Sequence, residues 1–156
     1  MNTSPSESGR RPLSDAVVGE LRQLFEGRRL LTEPGDCWAY GYDNSRRHAL
    51  PQAVCFATDT AEIAALVQLC RRHRLPLVTR GRGTGTTAAT VPLLGGVVLS
   101  MERMRNRIDI VPEDRIAHVS TGFTNQELQD AAARHGFFWA PDPTSASVCT
   151  IGGNLA

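Results

Sequence analysis

The sequence has no lysine: all 17 of its basic residues are arginine. Chemistry that needs a primary amine is thereby excluded, including Schiff-base catalysis, the anchoring of pyridoxal phosphate and the phosphate-binding lysine of a P-loop. Paired metal ligands are missing too. Cys37, Cys55, Cys70 and Cys149 include no Cys-x-x-Cys pair, and His48, His73, His118 and His135 include none at i, i+4. That spacing argues against zinc, and the cysteines read as reduced thiols of a cytosolic protein. Charge of one sign is nearly absent as well. A formal net charge of +1 leaves no global field to attract nucleic acid or an anionic membrane. No apolar run approaches the length of a membrane-spanning helix, and residues 1–12 lack the apolar stretch of a signal peptide. Rich in Ser, Arg and Pro, those twelve read as a disordered tail.

What remains is the composition of one ordinary soluble domain with a real core. Residues 13–28 read as an amphipathic helix, with Val17, Val18, Leu21, Leu24 and Phe25 on one face and Ser14 as N-cap. Residues 29–47, around Pro34-Gly35-Asp36, read as turn and loop. The apolar run 52–57 suits a buried strand. Asp59 and Glu62 have the capping-box spacing for a helix reaching about Arg74, with Ile63, Leu66, Val67 and Cys70 as its buried stripe. A second strand follows over 75–79, entered through Pro76. Strand, helix and strand in quick succession predict a right-handed βαβ crossover.

Beyond Gly96 the pattern changes. Residues 97–101 are apolar and β-prone, and 108–111 and 115–120 alternate across Pro112-Glu113-Asp114 as a hairpin should. Thr124 and Glu127 form a capping box, flanked by Phe123 and Leu128 at the staple positions, and Gly136 stands where a C′ glycine ends the helix. Residues 137–140 are expected as one more strand and 141–156 as a loop. His135 fits a last-turn residue favoured by the helix dipole, and His118 a strand residue; neither is assigned a catalytic role.

The second strand of the βαβ unit runs straight into Thr79-Arg80-Gly81-Arg82-Gly83-Thr84-Gly85-Thr86-Thr87, with glycine at every other position for three steps. Without Cβ atoms, successive N–H groups can turn inward around an anion. Thr84, Thr86 and Thr87 add hydroxyl donors, and Arg80 and Arg82 add positive charge that suits a pyrophosphate. A P-loop is excluded by the missing lysine. A Rossmann fingerprint would need its third glycine at Thr86 and a long helix after it, and the chain instead reaches Pro92 and Gly95-Gly96.

A third kind of loop fits better. The run from Pro76 to Gly85, then Pro92, Gly95-Gly96 with the Val-Val-Leu-Ser that follows, and Arg103-Met104, resembles the FAD-binding domain of the vanillyl-alcohol oxidase/p-cresol methylhydroxylase (PCMH) family. Gly122 before a helix, Pro141-Asp142-Pro143-Thr144-Ser145 and Thr150-Ile151-Gly152-Gly153-Asn154 follow in that family's order, and Tyr40 to Asp43 are similar upstream. The resemblance covers residues 51–156 and is nearest to the glycolate oxidase/D-lactate dehydrogenase group. It implies an α+β fold: a small βαβ lobe, then a mixed or antiparallel lobe that this chain cuts short, preceded by an N-terminal helix and loop over 13–50.

The resemblance also implies a cofactor and its contacts. Arg80, Gly81, Arg82, Gly83, Thr84, Gly85 and Thr86 would wrap the FAD pyrophosphate. Pro141, Asp142, Ser145, Thr150, Gly152 and Gly153 would line the ribityl and isoalloxazine side, where a Gly-Gly pair permits close approach to a flat ring. Members that bond the flavin covalently through this loop carry histidine where this chain has Thr84, so non-covalent FAD is expected. Many relatives have Gly-Gly where Ala88-Ala89 stand; alanine is small enough to keep the backbone close. The implied activity is oxidation of a small 2-hydroxy acid of the glycolate or D-lactate type. The alternatives are an FAD-linked oxidase of a sugar alcohol or aldonolactone, and a nucleotide-binding module without redox chemistry. Base, carboxylate-binding residues and metal ligands lie in later parts of such proteins, so no catalytic residue and no metal ligand is assigned, and the isolated chain is expected to be inactive and either poorly soluble or dependent on the missing remainder. Expected partners are FAD, a small-molecule substrate, and an electron acceptor or further subunits. The expected location is the cytoplasm or the periphery of the inner membrane.

Overall fold

A computed structural model describes residues 12–156. The expected tail over 1–12 falls, except for Pro12, outside the described residues. Helix α1, Asp15–Leu24, starts where expected, with the Ser14 side chain accepting from the N–H of Val17. The stretch expected as loop holds more structure. It contains a two-residue strand β1, Leu30–Leu31, a short helix α2, Pro34–Cys37, and a 3-10 turn, Trp38–Tyr40. Strand β2, Ala53–Phe56, follows, then helix α3, Thr60–His73, and strand β3, Leu77–Arg80. Strand β4 is Val97–Ser100, and β5, Ile108–Val111, and β6, Ile116–Val119, form the expected antiparallel hairpin. Helix α4, Asn125–Ala133, and a last helix α5, Ile151–Leu155, complete the chain.

The main sheet has the order β1-β2-β4-β3, with β1 antiparallel to β2 and the other three strands parallel. The β2–α3–β3 crossover therefore steps over β4, which is inserted between the two strands it joins. Alternation along the strands explains why the central pair is wholly buried. Ala53, Cys55, Val97 and Leu99 face a core built by Val17, Leu21 and Phe25 of the N-terminal helix region with Leu66, Leu69 and Cys70 of α3. Val54, Phe56 and Val98 point to the opposite face, where Cys37, Leu31, Tyr40 and Leu50 cover them. The N-terminal 50 residues thus supply parts of both layers around the sheet.

Four local expectations need correcting. Val67 is 47% exposed, while Leu69 takes its place in the core. It stands one residue, roughly 100°, around the helix from Leu66, on the rim of the face that packs inward. The capping box of α3 is half formed. Asp59 accepts from the Glu62 N–H, but the Glu62 carboxylate takes the N–H of Thr58 at 2.8 Å and the guanidinium of Arg29 instead of the Asp59 N–H. Residues 137–140 form no strand. Gly136, at φ +76°, ends α4 in a Schellman turn, with Phe137 N–H donating to Ala132 O at 3.1 Å and Gly136 N–H to Ala133 O at 3.0 Å. Gln129 then accepts from the Trp139 N–H. Nor are residues 141–156 all loop. Thr150 caps α5 by accepting from Gly153 N–H at 3.3 Å, and two helix-averse glycines are tolerated because a Cβ on Gly152 would lie 2.8 Å from Thr121 Cβ.

Candidate functional site

In parallel sheets, ligands gather beyond the C-terminal ends of the strands. Here Phe56, Ser100 and Arg80 lie side by side in register at that end of β2, β4 and β3, and the glycine loop leaves directly from Arg80. Among the described residues, no backbone N–H from Gly81 to Thr87 donates to a protein acceptor. The carbonyls of Thr84 and Gly85, by contrast, are held from outside by Asn44, through its side-chain amide at 3.3 Å and its backbone N–H at 2.9 Å. The loop therefore offers a run of donors whose acceptors are turned elsewhere, the electrostatic pattern of an anion nest.

Arg80 is placed differently from expectation. Its guanidinium is buried beneath the loop, donating to the carbonyls of Tyr42 and Ala39 and lying 5.8 Å from the centre of the Tyr40 ring. Burial pushes its pKa down, while Tyr40, Tyr42, Asp43 and Glu102 act the other way; an arginine keeps its charge at such a site. Gly83 rests on it: at φ +69°, a Cβ there would lie 2.2 Å from Arg80 Nη2. Arg82 is more exposed and reaches Glu102 at 3.4 Å. The same carboxylate accepts from the Tyr40 hydroxyl at 3.4 Å, and burial followed by the charge of Glu102 raises the Tyr40 pKa.

The second glycine-bearing segment comes from far along the chain. A Cβ on Gly81 would lie 2.4 Å from Thr150 Oγ1, so the start of the loop and the cap of α5 touch. Thr150 is buried and bridges to Thr124, the N-cap of α4. Sequence reasoning missed Asn125, which holds this segment in place. Its side chain donates to Pro141 O at 3.0 Å and accepts from Trp139 Nε1 at 2.8 Å and Asn154 Nδ2 at 2.9 Å. Nothing local in the sequence marks it, since all three partners lie 14 or more residues away. Ser145 O ends a turn by accepting from the N–H groups of Val148 and Cys149, while Pro141 and Asp142 are exposed. The structure thus brings Gly81, Thr150 and Gly153 together and leaves Pro141 and Asp142 on the surface. Among the described residues, no three His, Cys, Asp or Glu gather as a metal site, and no helix is long and apolar enough to cross a membrane.

Residues 51–156 match the model of a family described as an FAD binding domain. The chain belongs to that family. Among curated relatives of this FAD-binding chain, the glycolate oxidase subunit GlcD of Escherichia coli is 36% identical over 142 residues, covering 90% of this chain and 28% of the relative. A D-2-hydroxyglutarate dehydrogenase of Stutzerimonas stutzeri is 33% identical, covering 90% and 30%. A D-lactate dehydrogenase of Archaeoglobus fulgidus is 32% identical, covering 89% and 31%. The chain thus spans about three-tenths of the length of the curated relatives it matches. Among solved structures, p-cresol methylhydroxylase aligns with a TM-score of 0.77 at 23% identity, over 90% of this chain and 28% of that one. Alkyldihydroxyacetonephosphate synthase aligns at 0.79 and 21%, over 94% and 32%. At such identities these two show the fold, which is the expected α+β arrangement of a PCMH-type FAD-binding domain.

The residues present fit that cofactor. The free N–H groups of the loop suit a diphosphate. Two buried hydroxyls, Ser100 Oγ and Thr121 Oγ1, have no partner among the described residues. One stands in register with Arg80 and the other packs against Gly152, so both orphaned groups flank the two glycine segments.

Proposed function

We propose that this FAD-binding domain is part of a flavin-dependent oxidoreductase that acts on a small 2-hydroxy acid. The observation that carries the reading is the contact of Gly81 with Thr150, which sets two glycine-bearing segments 69 residues apart against each other. The named activities of the glycolate, D-lactate and D-2-hydroxyglutarate relatives give the substrate class.

In this reading the N–H groups of residues 81–86 and the hydroxyls of Thr84 and Thr86 bind the diphosphate, with Arg82 neutralising charge at the rim. Arg80 supports the loop from beneath. Pro141, Asp142, Ser145, Thr150, Gly152 and Gly153 line the ribityl and ring side, where Gly152 and Gly153 allow close approach of a plane. Residues 13–50 serve as a structural lead-in to the binding domain over 51–156. FAD supplies the two-electron acceptor that oxidation of a hydroxy acid requires. Thr84 offers no imidazole for a covalent link, so the flavin is held non-covalently. The remaining partners are the hydroxy-acid substrate and an electron acceptor or further subunits, and the location is the cytoplasm or the periphery of the inner membrane.

The test is to purify the full-length gene product, titrate it with FAD by flavin fluorescence, and precipitate it with acid. Saturable binding with all flavin released to the supernatant is expected. Yellow colour retained in the pellet would overturn the non-covalent assignment, and absence of any flavin binding would overturn the whole reading. Dye-coupled turnover of D-lactate or glycolate, and none of sugar alcohols, is the result that supports the substrate class.

A further inference from the structure

Residues 38–48 precede the region matched by the family model, yet they grip the glycine loop from two sides. From beneath, Arg80 donates to the carbonyls of Tyr42 and Ala39. From outside, Asn44 donates to the carbonyls of Thr84 and Gly85. Asp43 adds no competing acceptor at the loop, because its buried carboxylate accepts from Ser45 N–H at 2.9 Å and Thr90 Oγ1 at 3.5 Å.

The second grip has a directional consequence. The described chain has no cis peptide bond, and in a planar trans peptide the N–H points opposite to the C=O of the same unit. The carbonyls of Thr84 and Gly85 share their peptide units with the N–H groups of Gly85 and Thr86. Drawing both carbonyls toward Asn44 turns both N–H groups away from it, and neither has an acceptor among the described residues. Glycine at 85 makes the loop soft enough to need such a constraint, since it populates many backbone conformations about equally.

We propose that Asn44 is a positioning residue for the cofactor diphosphate: by holding the carbonyls of Thr84 and Gly85, it aims the N–H groups of Gly85 and Thr86 at the anion. The proposal rests on the FAD reading above. It assigns a binding role to a part of the chain outside the matched domain, exerted through the loop and without contact to the ligand.

The test uses the full-length protein with Asn44→Ala and Asn44→Asp. Asn44 is exposed, so both variants should fold, which far-UV circular dichroism checks. Alanine removes the side-chain tether and leaves the backbone one, so FAD should bind about fivefold more weakly. Aspartate has almost the shape of asparagine but presents a carboxylate to the Thr84 carbonyl, so its loss should equal or exceed that of alanine. Phosphorus NMR of the bound cofactor should show the diphosphate resonances displaced in both variants, while the visible flavin spectrum stays as in the wild type. Unchanged affinity, an Asn44→Asp variant that binds like wild type, or weakened binding with undisplaced phosphorus resonances would each overturn the proposal. A wild-type protein that binds no FAD would instead overturn the reading on which it rests.

Discussion

Single residues set the shape of the glycine loop, and one of them does so at a cost. Ala88 is buried at φ +64°, a region that glycine enters freely and alanine enters at about 1–2 kcal/mol. The sequence showed only that a small residue stands there; the strain became visible with the backbone. Ala88→Gly should therefore raise stability, by about 1 kcal/mol once the added freedom of the unfolded chain is subtracted. Urea unfolding of the two proteins measures it, and a less stable variant would show that the strain is illusory. The buried thiols illustrate the opposite case, in which environment silences chemistry. Burial, with Asp36 and Glu33 nearby, pushes Cys37 up to about 11, and burial alone does the same to Cys70, also to about 11; Cys55 is pushed higher still. These cysteines are core residues.

At the scale of elements, α4 braces the second glycine segment of α5 through Asn125, and its N-terminus is fastened twice. Thr124 and Glu127 form the full capping box, with Thr124 N–H donating to Glu127 Oε2 at 2.8 Å and Glu127 N–H to Thr124 Oγ1 at 3.2 Å. Arg105 also reaches the Glu127 carboxylate from the segment before β5. The Arg105 hydrogen bond, then the Thr124 donors, hold the Glu127 pKa below the ordinary carboxylate value despite some desolvation. A carboxylate depressed in the folded state contributes stability that is present above its unfolded pKa and lost as pH falls through its folded value. Glu127→Gln should thus melt below wild type at neutral pH, by an amount equivalent to no more than about 1 kcal/mol for so exposed a pair. The gap should close as pH falls below about 4. A gap that stays constant with pH would assign the effect to packing. The capping box was legible in the sequence because it is a contact between residues three apart. The displaced half of the box on α3 was not, because Arg29, 33 residues away, competes for Glu62.

For the whole molecule, the sheet decides where everything else goes. Phe25, Leu21 and Val17 pack on its core face although they lie well before residue 51, where the family match starts. Full burial of each such side chain is worth about 1.5–3 kcal/mol, so a protein begun at Pro51 should lose its cooperative thermal transition. A sharp melt in that truncated form would show residues 13–50 to be an appendage. The sequence by itself determined the helix starts at Ser14 and Thr124, the β5–β6 hairpin, the stop at Gly136 and the bare backbone of the loop over 81–87, all of them set by chemistry within a few residues of each other. It also carried the ordered motifs of an FAD-binding domain. Only the tertiary structure decided that β4 enters between β2 and β3, that Val67 faces solvent, that Arg80 turns beneath its loop, and that Thr150 and Asn44 meet that loop from opposite ends of the chain. Those outcomes depend on which strands pair and which faces are covered, and the contacts that settle such choices join residues whose separation along the chain leaves no periodic trace.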